Sequence, residues 1–194
     1  MNVIVDYDMG NIRSVKNAIA RCGAEYIISD DKDVIAKADR VIIPGVGNCS
    51  EAMRHLNDFG LIDTIRNLRV PVLGICVGMQ VMCRHSEEGD VECMGIFDSF
   101  VKKFKSQPDA KVPHMGWNNI NNLEKALFKG VCSGEMVYYV HSYYAELCCD
   151  TIATTKHGLM FSAALKYENF YGTQFHPEKS GDIGHRILNN FLKL

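Results

Sequence analysis

The sequence has little net charge, no long apolar run and no linker-like segment. Its 194 residues include 21 Lys and Arg and 23 Asp and Glu, so the formal net charge is −2. Without a basic excess, the chain lacks the electrostatic footprint of nucleic-acid binding and of membrane-surface binding. No apolar run reaches the roughly 20 residues of a membrane-spanning helix. We therefore expect a cytoplasmic protein with no signal peptide, no nucleic-acid partner and no membrane partner.

The cysteines do not form a metal or redox motif. No C-x-x-C pair occurs among the eight, which lie at positions 22, 49, 76, 83, 93, 132, 148 and 149. In a cytoplasmic chain such thiols are reduced, and most serve as small core residues. We predict no metal and no cofactor. Because repeats and low-complexity tracts are also missing, we expect residues 1–194 to form a single domain.

The first half of the chain alternates strand-like and helix-like segments. Short apolar runs occur at residues 3–5, 26–28, 40–45 and 70–75. Helical spacing occurs between and after them, at residues 12–22, 34–38, 53–66 (broken at Gly60) and 79–84. Continuously apolar strands that alternate with helices are typical of a parallel sheet covered on both faces.

The second half is rich in aromatic and β-branched residues. These lie at residues 95–105, 136–143, 151–155 and 161–175, and Glu168-Asn169 separates two strand-like runs as a hairpin turn would. Residues 184–192 have the pattern of an amphipathic helix. The predicted fold class is therefore α/β, with a parallel central sheet, flanking helices and an added antiparallel part.

The motif Gly74-Ile75-Cys76-Val77-Gly78 is the strongest local signal. It follows an apolar strand and precedes a helical pattern, as in a nucleophile elbow with cysteine in place of serine. Such a turn exposes the central side chain above the sheet and needs small neighbours. The backbone N–H of Val77 is then placed to bind an oxyanion. The alternative is that Cys76 is a small core residue between packing glycines.

His176 and Glu178 are the candidate base and its orienting group. They follow a strand-like run in Gln174-Phe175-His176-Pro177-Glu178. Residues two apart in extended chain point the same way, so the carboxylate can fix the imidazole tautomer. Taken alone, a loop or capping histidine is the favoured interpretation of His176, and an exposed charge that of Glu178; the Cys76 motif reverses this.

The motif Pro44-Gly45-Val46-Gly47 ends the third strand-like run. Glycine turns at the carboxyl ends of parallel strands lie where α/β sheets bind ligands. A backbone N–H of Val46 or Gly47 could therefore complete the oxyanion hole. The alternative is a plain strand-exit turn.

Together, these three motifs resemble class I glutamine amidotransferases, over nearly the whole chain. The resemblance implies a flavodoxin-like α/β fold and a Cys76–His176–Glu178 triad. Cys76 would attack the side-chain amide of glutamine to form a thioester and release ammonia. His176 would transfer protons and Glu178 would hold His176.

Four further segments look like the glutaminase subunits of imidazole glycerol phosphate synthases: residues 6–11, 111–118 and 138–143, and Lys179-Ser180. This resemblance implies a heterodimer with a (β/α)8-barrel cyclase subunit, to which ammonia is delivered in histidine biosynthesis. A free subunit would waste glutamine, so we expect weak activity without the partner.

The same resemblance assigns further roles. The glutamine pocket would consist of Gly47, Gln80, Glu88, Ser142 and Tyr143, with Glu88 on the substrate ammonium and Gln80 on its carboxylate end or other polar groups. Otherwise, Gln80 and Glu88 are polar residues on an exposed helix face. The docking surface would include Lys111, His114, Met115, Trp117, Asn118, Tyr138 and Lys179. Trp117 is either an interface anchor or a core residue. The histidines at 114, 141 and 185 are interpreted as structural or peripheral.

Three rival functions stay open at this point. One is a different cysteine hydrolase on a similar core, and another is a non-catalytic regulatory subunit. The third is the same glutaminase chemistry serving a paralogous synthase, such as one that makes aminated or amidinated surface sugars.

Overall fold

The computed structural model describes residues 1–124 and 126–194. Its helices are α1 (Ile12–Arg21), α2 (Lys32–Ala36), α3 (Cys49–Asp58), α4 (Ile62–Arg66), α5 (Val77–Gln80) and α6 (Gly181–Phe191), with short 3-10 turns at Ala126–Phe128 and Pro177–Lys179. Its strands are β1 (Asn2–Val5), β2 (Tyr26–Ser29), β3 (Arg40–Ile43), β4 (Val72–Ile75), β5 (His85–Ser86), β6 (Val91–Glu92), β7 (Phe100–Lys103), β8 (His114–Asn119), β9 (Met136–His141), β10 (Tyr143–Ala145), β11 (Thr151–His157), β12 (Leu159–Tyr167) and β13 (Phe170–Thr173). Within the described residues, no helix is long and apolar enough to cross a membrane.

A seven-stranded central sheet has the order β11-β12-β13-β4-β3-β1-β2. The five strands from β13 to β2 are parallel, whereas β11, β12 and β13 pair antiparallel. All four residues of β4 are buried, as expected for a strand covered on both faces. The predicted α/β class, the parallel core and the hairpin at Glu168-Asn169 are confirmed.

Side-chain caps mark where α1 and α3 begin. The Asn11 side chain accepts a hydrogen bond from Ser14 N at 3.1 Å and starts α1, whose buried face consists of Val15, Ala18 and Ile19. Asn48 likewise accepts from Ser50 N at 2.8 Å and starts α3 directly after the Pro44–Gly47 motif. The helix therefore begins at Cys49, earlier than the apolar spacing predicts.

The predicted helix at residues 79–84 is mostly wrong. Helix α5 ends at Gln80, because the N–H groups after that of Val81 do not donate four residues back. The N–H of Arg84, which would donate to Gln80 O in a longer helix, donates to Ser99 O at 2.9 Å. The N–H groups of Met94, Ile96 and Gly95 donate to the carbonyls of Val81, Met82 and Cys83 at 2.7–2.8 Å. Residues 81–84 form turns and bends, and strands β5 and β6 follow them.

Two smaller sheets lie beside the central one. The first has the order β10-β7-β5-β6, and the second is the antiparallel pair β8-β9, with His114 opposite His141 and Trp117 opposite Tyr138. Strands β5, β6 and β8 are not among the elements predicted from the sequence. Strand β8 reads His-Met-Gly-Trp-Asn-Asn, which has no β-branched residue, so its pairing depends on β9.

Candidate active site

Cys76 lies on a sharp turn between β4 and α5. Its backbone has φ 55° and ψ −110°, a conformation that non-glycine residues rarely adopt. A Cβ on Gly78 would lie 2.0 Å from Ile43 O, and one on Gly74 would lie 2.4 Å from Gly78 O. Both flanking glycines are therefore needed for the close packing of this turn. The Cys76 N–H donates to Thr173 O at 2.7 Å, which joins the turn to the end of β13.

His176 and Glu178 form a buried pair just beyond β13. His176 Nδ1 lies 2.7 Å from Glu178 Oε1, and each side chain is 1% exposed. The His176 N–H donates to Tyr138 O at 2.9 Å, and the Ser180 hydroxyl donates to His176 O at 2.6 Å. The carboxylate places a proton on Nδ1, so Nε2 is the ring atom left for chemistry.

Electrostatics at this pair favour a charged imidazole. Burial lowers the pKa of His176, but the Cys76 sulfur and the Glu178 carboxylate outweigh burial and raise it to about 10. His176 Nε2 is buried, and it has no hydrogen-bond partner among the described residues. At neutral pH, His176 is therefore an imidazolium beside the Cys76 sulfur, ready to give its proton to a leaving group.

A cavity of about 250 Å³ opens at Cys76 and His176. The substrate-binding residues predicted from the sequence all contribute to its wall, together with residues from β9. The full lining is Val46, Gly47, Cys76, Val77, Gln80, Glu88, Pro113, Val140, His141, Ser142, Tyr143 and His176. The sheet thus brings Cys76, His176 and the predicted glutamine pocket into one cavity.

The Pro44–Gly47 motif packs directly on the Cys76 turn. A Cβ on Gly45 would lie 2.2 Å from Gly78 N, and the Tyr7 hydroxyl donates to Pro44 O at 2.6 Å from a fully buried position. In the part of the chain that the structure describes, the N–H groups of Val46, Gly47 and Val77 donate no hydrogen bond. These three predicted oxyanion donors are therefore free beside the cavity.

Gln80 and Glu88 do not lie on an exposed helix face. Gln80 is 2% exposed, and its Nε2 donates to Tyr143 O and to Gln174 Oε1, each at 3.0 Å. Glu88 lies in the turn after β5 and accepts from Cys49 N at 2.8 Å. Burial raises the pKa of the Glu88 carboxyl, against the opposing effect of this hydrogen bond. The exposed-face alternative is wrong for both residues.

Gln174 is a site residue that sequence reasoning missed. It is fully buried, and its Nε2 lies 3.7 Å from Cys76 Sγ. A signal was available, because Gln174 and His176 are two residues apart in extended chain and so share a side.

The predicted docking surface is mostly exposed. Met115 and Trp117 are 62% and 54% exposed on β8, which excludes the core alternative for Trp117. Lys111 and Lys179 are also exposed, Asn118 and Tyr138 are partly buried, and Lys179 Nζ lies 5.9 Å from the Tyr138 ring centroid. His114 differs from the rest: it is 5% exposed, so its ring contacts the core instead of a docked partner.

His114 and His141 form a hydrogen-bonded pair beneath this surface. His141 Nδ1 donates to Tyr143 O at 2.7 Å, so its Nε2 accepts from His114 Nδ1 at 2.9 Å. Burial lowers the pKa of His114 to about 4 and that of His141 to about 3, so both rings are neutral at pH 7. This packing agrees with the prediction that His114 and His141 have a structural role. His185 lies elsewhere, with its Nδ1 3.4 Å from Cys22 Sγ.

Comparisons with known proteins agree with this geometry. A family model described as glutamine amidotransferase class-I matches residues 3–194. A Bacteroides thetaiotaomicron protein named imidazole glycerol phosphate synthase subunit HisH is 54% identical over 98% of each chain. A Shewanella loihica protein of the same name is 46% identical over 99% of this chain and 90% of its own.

Solved structures share the fold at low sequence identity. A protein from Thermoplasma acidophilum, described as a GMP synthase subunit, has a TM-score of 0.76 at 22% identity and covers 100% of this chain and 92% of its own. The PurLQS structure from Thermotoga maritima has a TM-score of 0.72 at 17% identity and covers 99% of this chain and 97% of its own. With the family model spanning nearly all of the sequence, the chain belongs to the class I glutamine amidotransferase family.

Proposed function

We propose that this chain is the glutaminase subunit of an imidazole glycerol phosphate synthase, with Cys76, His176 and Glu178 as its catalytic triad. The observation that carries the chemistry is the shared cavity, which contains the strained Cys76 and the His176 ring that Glu178 orients. The observation that carries the pathway is the 54% identity to proteins named as this subunit.

In the first half of the reaction, the Cys76 thiolate attacks the side-chain amide carbon of glutamine. A C–S bond forms, and the oxygen takes up the negative charge. The N–H groups of Val77 and of Val46 or Gly47 stabilise this oxyanion. His176 gives its Nε2 proton to the nitrogen, the C–N bond breaks, and ammonia leaves a glutamyl thioester.

In the second half, His176 acts as the base. It takes a proton from a water molecule that attacks the thioester carbonyl, and the same donors hold the second oxyanion. The C–S bond breaks with its electron pair going to sulfur, which restores the thiolate and releases glutamate. Glu178 keeps the ring in one tautomer throughout.

Substrate recognition uses the polar residues around the cavity. Glu88 pairs with the substrate ammonium, and Gly47, Ser142 and Tyr143 bind its remaining polar groups. Gln80 has already donated its Nε2 hydrogens to Tyr143 and Gln174, so only its carbonyl oxygen is free for glutamine. Because an oxygen accepts, Gln80 contacts the ammonium end of the substrate and not the carboxylate.

The partner is a (β/α)8-barrel cyclase subunit, which forms a heterodimer with this chain and receives its ammonia. Exposed Met115 and Trp117 on β8 are apolar anchors of the kind that interfaces use, and exposed Lys111 and Lys179 add charge beside them. Residues 1–194 act in this assembly as one glutaminase domain, in the cytoplasm.

The test is reconstitution with the barrel cyclase of the histidine pathway from the same source. Ammonium salts alone should let the cyclase form its imidazole product, and glutamine should do so only when this chain is present. If ammonium supports the cyclase but glutamine plus this chain does not, the histidine assignment is wrong. The paralogous sugar synthase would then be the partner to supply.

A further inference from the structure

A chain of buried side-chain amides lies beneath the Cys76 sulfur. It runs from Tyr143 O through Gln80 to Gln174, whose Nε2 is 3.7 Å from Cys76 Sγ. Gln80 is 2% exposed and Gln174 is fully buried, so bulk water does not compete for these bonds.

The direction of this chain of amides follows from its first member. A backbone carbonyl only accepts hydrogen bonds, so Gln80 must turn its NH₂ group toward Tyr143 O. The same NH₂ group contacts the Gln174 side chain, which must therefore present its oxygen to Gln80. The NH₂ group of Gln174 is left on the other side, where it faces Cys76.

Backbone bonds hold Gln174 in this position. Its N–H donates to Ala163 O at 2.8 Å, and the preceding residue, Thr173, accepts from Cys76 N at 2.7 Å. The backbone at the end of β13, where Gln174 follows, is thus fixed both to β12 and to the Cys76 turn. The Gln174 backbone cannot move away from the Cys76 turn unless these hydrogen bonds break.

We infer that Gln174 is a catalytic residue that donates an N–H to the Cys76 sulfur while that sulfur is negatively charged, oriented by Gln80 and Tyr143. This inference rests on the proposed function, in which the sulfur is a thiolate before attack and again when the C–S bond breaks. At that second step the electron pair goes to sulfur, and the Gln174 N–H stabilises the leaving thiolate. The reaction with this hydrogen bond consumes only glutamine and water and needs no further reagent.

The test uses iodoacetamide on the isolated chain, over a series of pH values, with alkylation of the Cys76 peptide followed by mass spectrometry. In Gln174→Met, which keeps an unbranched side chain of similar length, the pH of half-maximal alkylation should rise by about one unit. With the partner and glutamine present, kcat should fall about tenfold.

Thr173→Val is the matched control. The Thr173 hydroxyl is buried on the neighbouring residue and makes no hydrogen bond within the described residues, so its loss removes no donor from the sulfur. Its alkylation profile should match that of the wild type. An unchanged profile in Gln174→Met, or an equal shift in Thr173→Val, would overturn the inference.

A second variant covers the case in which Gln174→Met does not fold, as judged by loss of a cooperative thermal transition. Gln174→Glu keeps the shape but replaces the N–H donor with a carboxylate, so the shift should be at least as large, and no shift would overturn the inference. Since iodoacetamide reacts with the sulfur without glutamine, this result is independent of whether the proposed function is correct.

Discussion

At the scale of single residues, the site depends on the His176–Glu178 contact. The 2.7 Å bond fixes the ring, and the carboxylate helps to raise the pKa of His176 to about 10. Catalysis in the proposed mechanism needs His176 protonated when ammonia leaves. Activity should therefore be lost on the alkaline side, as pH rises through the pKa of His176.

Glu178→Gln tests this dependence. It removes the charge but keeps the size, so the pKa of His176 should fall and the alkaline limb of the pH–rate profile should move to lower pH. We expect kcat/KM for glutamine hydrolysis to drop by about 10² or more, since general acid–base catalysis is typically worth about 10²–10⁴.

Glu25→Gln is the control for Glu178→Gln. Glu25 is exposed just before β2, at the amino ends of the parallel strands and away from the cavity. Its pH–rate profile should match that of the wild type. An unmoved alkaline limb in Glu178→Gln would contradict the assigned role.

At the scale of elements, the β8-β9 pair lies between the predicted docking surface and the cavity. Its outer face exposes Met115 and Trp117, while its inner face buries His114 against His141 and Tyr139. His141 also lines the cavity. The β8-β9 pair therefore contributes both to the predicted docking surface and to the cavity wall.

Trp117→Ala tests the outer face. Because the ring is 54% exposed, its loss should change the free energy of unfolding by no more than about 0.5 kcal/mol. If Trp117 anchors the interface, the free energy of binding to the cyclase should weaken by about 2 kcal/mol or more, as measured by calorimetry.

Tyr167→Ala is a matched aromatic control for Trp117→Ala. Tyr167 is 47% exposed, but it lies at the hairpin beside the amino end of β13, at the opposite end of the sheet from Cys76. It should bind the partner normally. Equal binding by the Trp117 variant and the wild type would remove Trp117 from the interface.

The inner face predicts a pH dependence of stability. The pKa of His114 is about 4 in the folded chain, below the value of about 6.5 in the unfolded chain. Between these two pH values the unfolded chain binds a proton at this histidine and the folded chain does not. The contribution of neutral His114 to the free energy of unfolding is therefore complete above pH 6.5 and is lost as pH falls toward 4. In His114→Gln, the slope of unfolding free energy against pH in this window should be smaller by about 1.4 kcal/mol per pH unit.

Tyr139→Phe separates this effect from general destabilisation. Tyr139 stacks on His114 with ring centroids 4.6 Å apart, and its hydroxyl bonds to Thr155 Oγ1 at 2.6 Å. Its loss should lower the unfolding free energy by a similar amount at every pH from 4 to 7, as measured by urea denaturation. A wild-type slope in His114→Gln would contradict the buried neutral pair.

At the scale of the whole molecule, the central sheet could be predicted from the sequence because its buried strands are continuous apolar runs. Strand β8 could not, because its residues have little strand propensity and its register comes from β9. The end of α5 could not be predicted either, since it depends on the Arg84 N–H donating to Ser99 O, a contact made by the tertiary fold.

The site was predictable to a different degree for each residue. Cys76 and His176 stand in motifs whose chemistry is local, so the sequence alone predicts them as nucleophile and base. Gln174 has no motif of its own, and its contact with Cys76 exists only because β13 lies beside β4. The burial of His114 within an otherwise exposed segment also depends on tertiary packing.

The most direct test of the central claim is to trap the thioester. The chain, with its cyclase partner, is mixed with glutamine and quenched in acid, and its peptides are analysed by mass spectrometry. We predict a glutamyl group on the peptide that contains Cys76, on none of the other seven cysteines, and its absence in Cys76→Ser. Ammonia release without any glutamyl adduct at Cys76, or undiminished release by Cys76→Ser, would contradict the proposed mechanism.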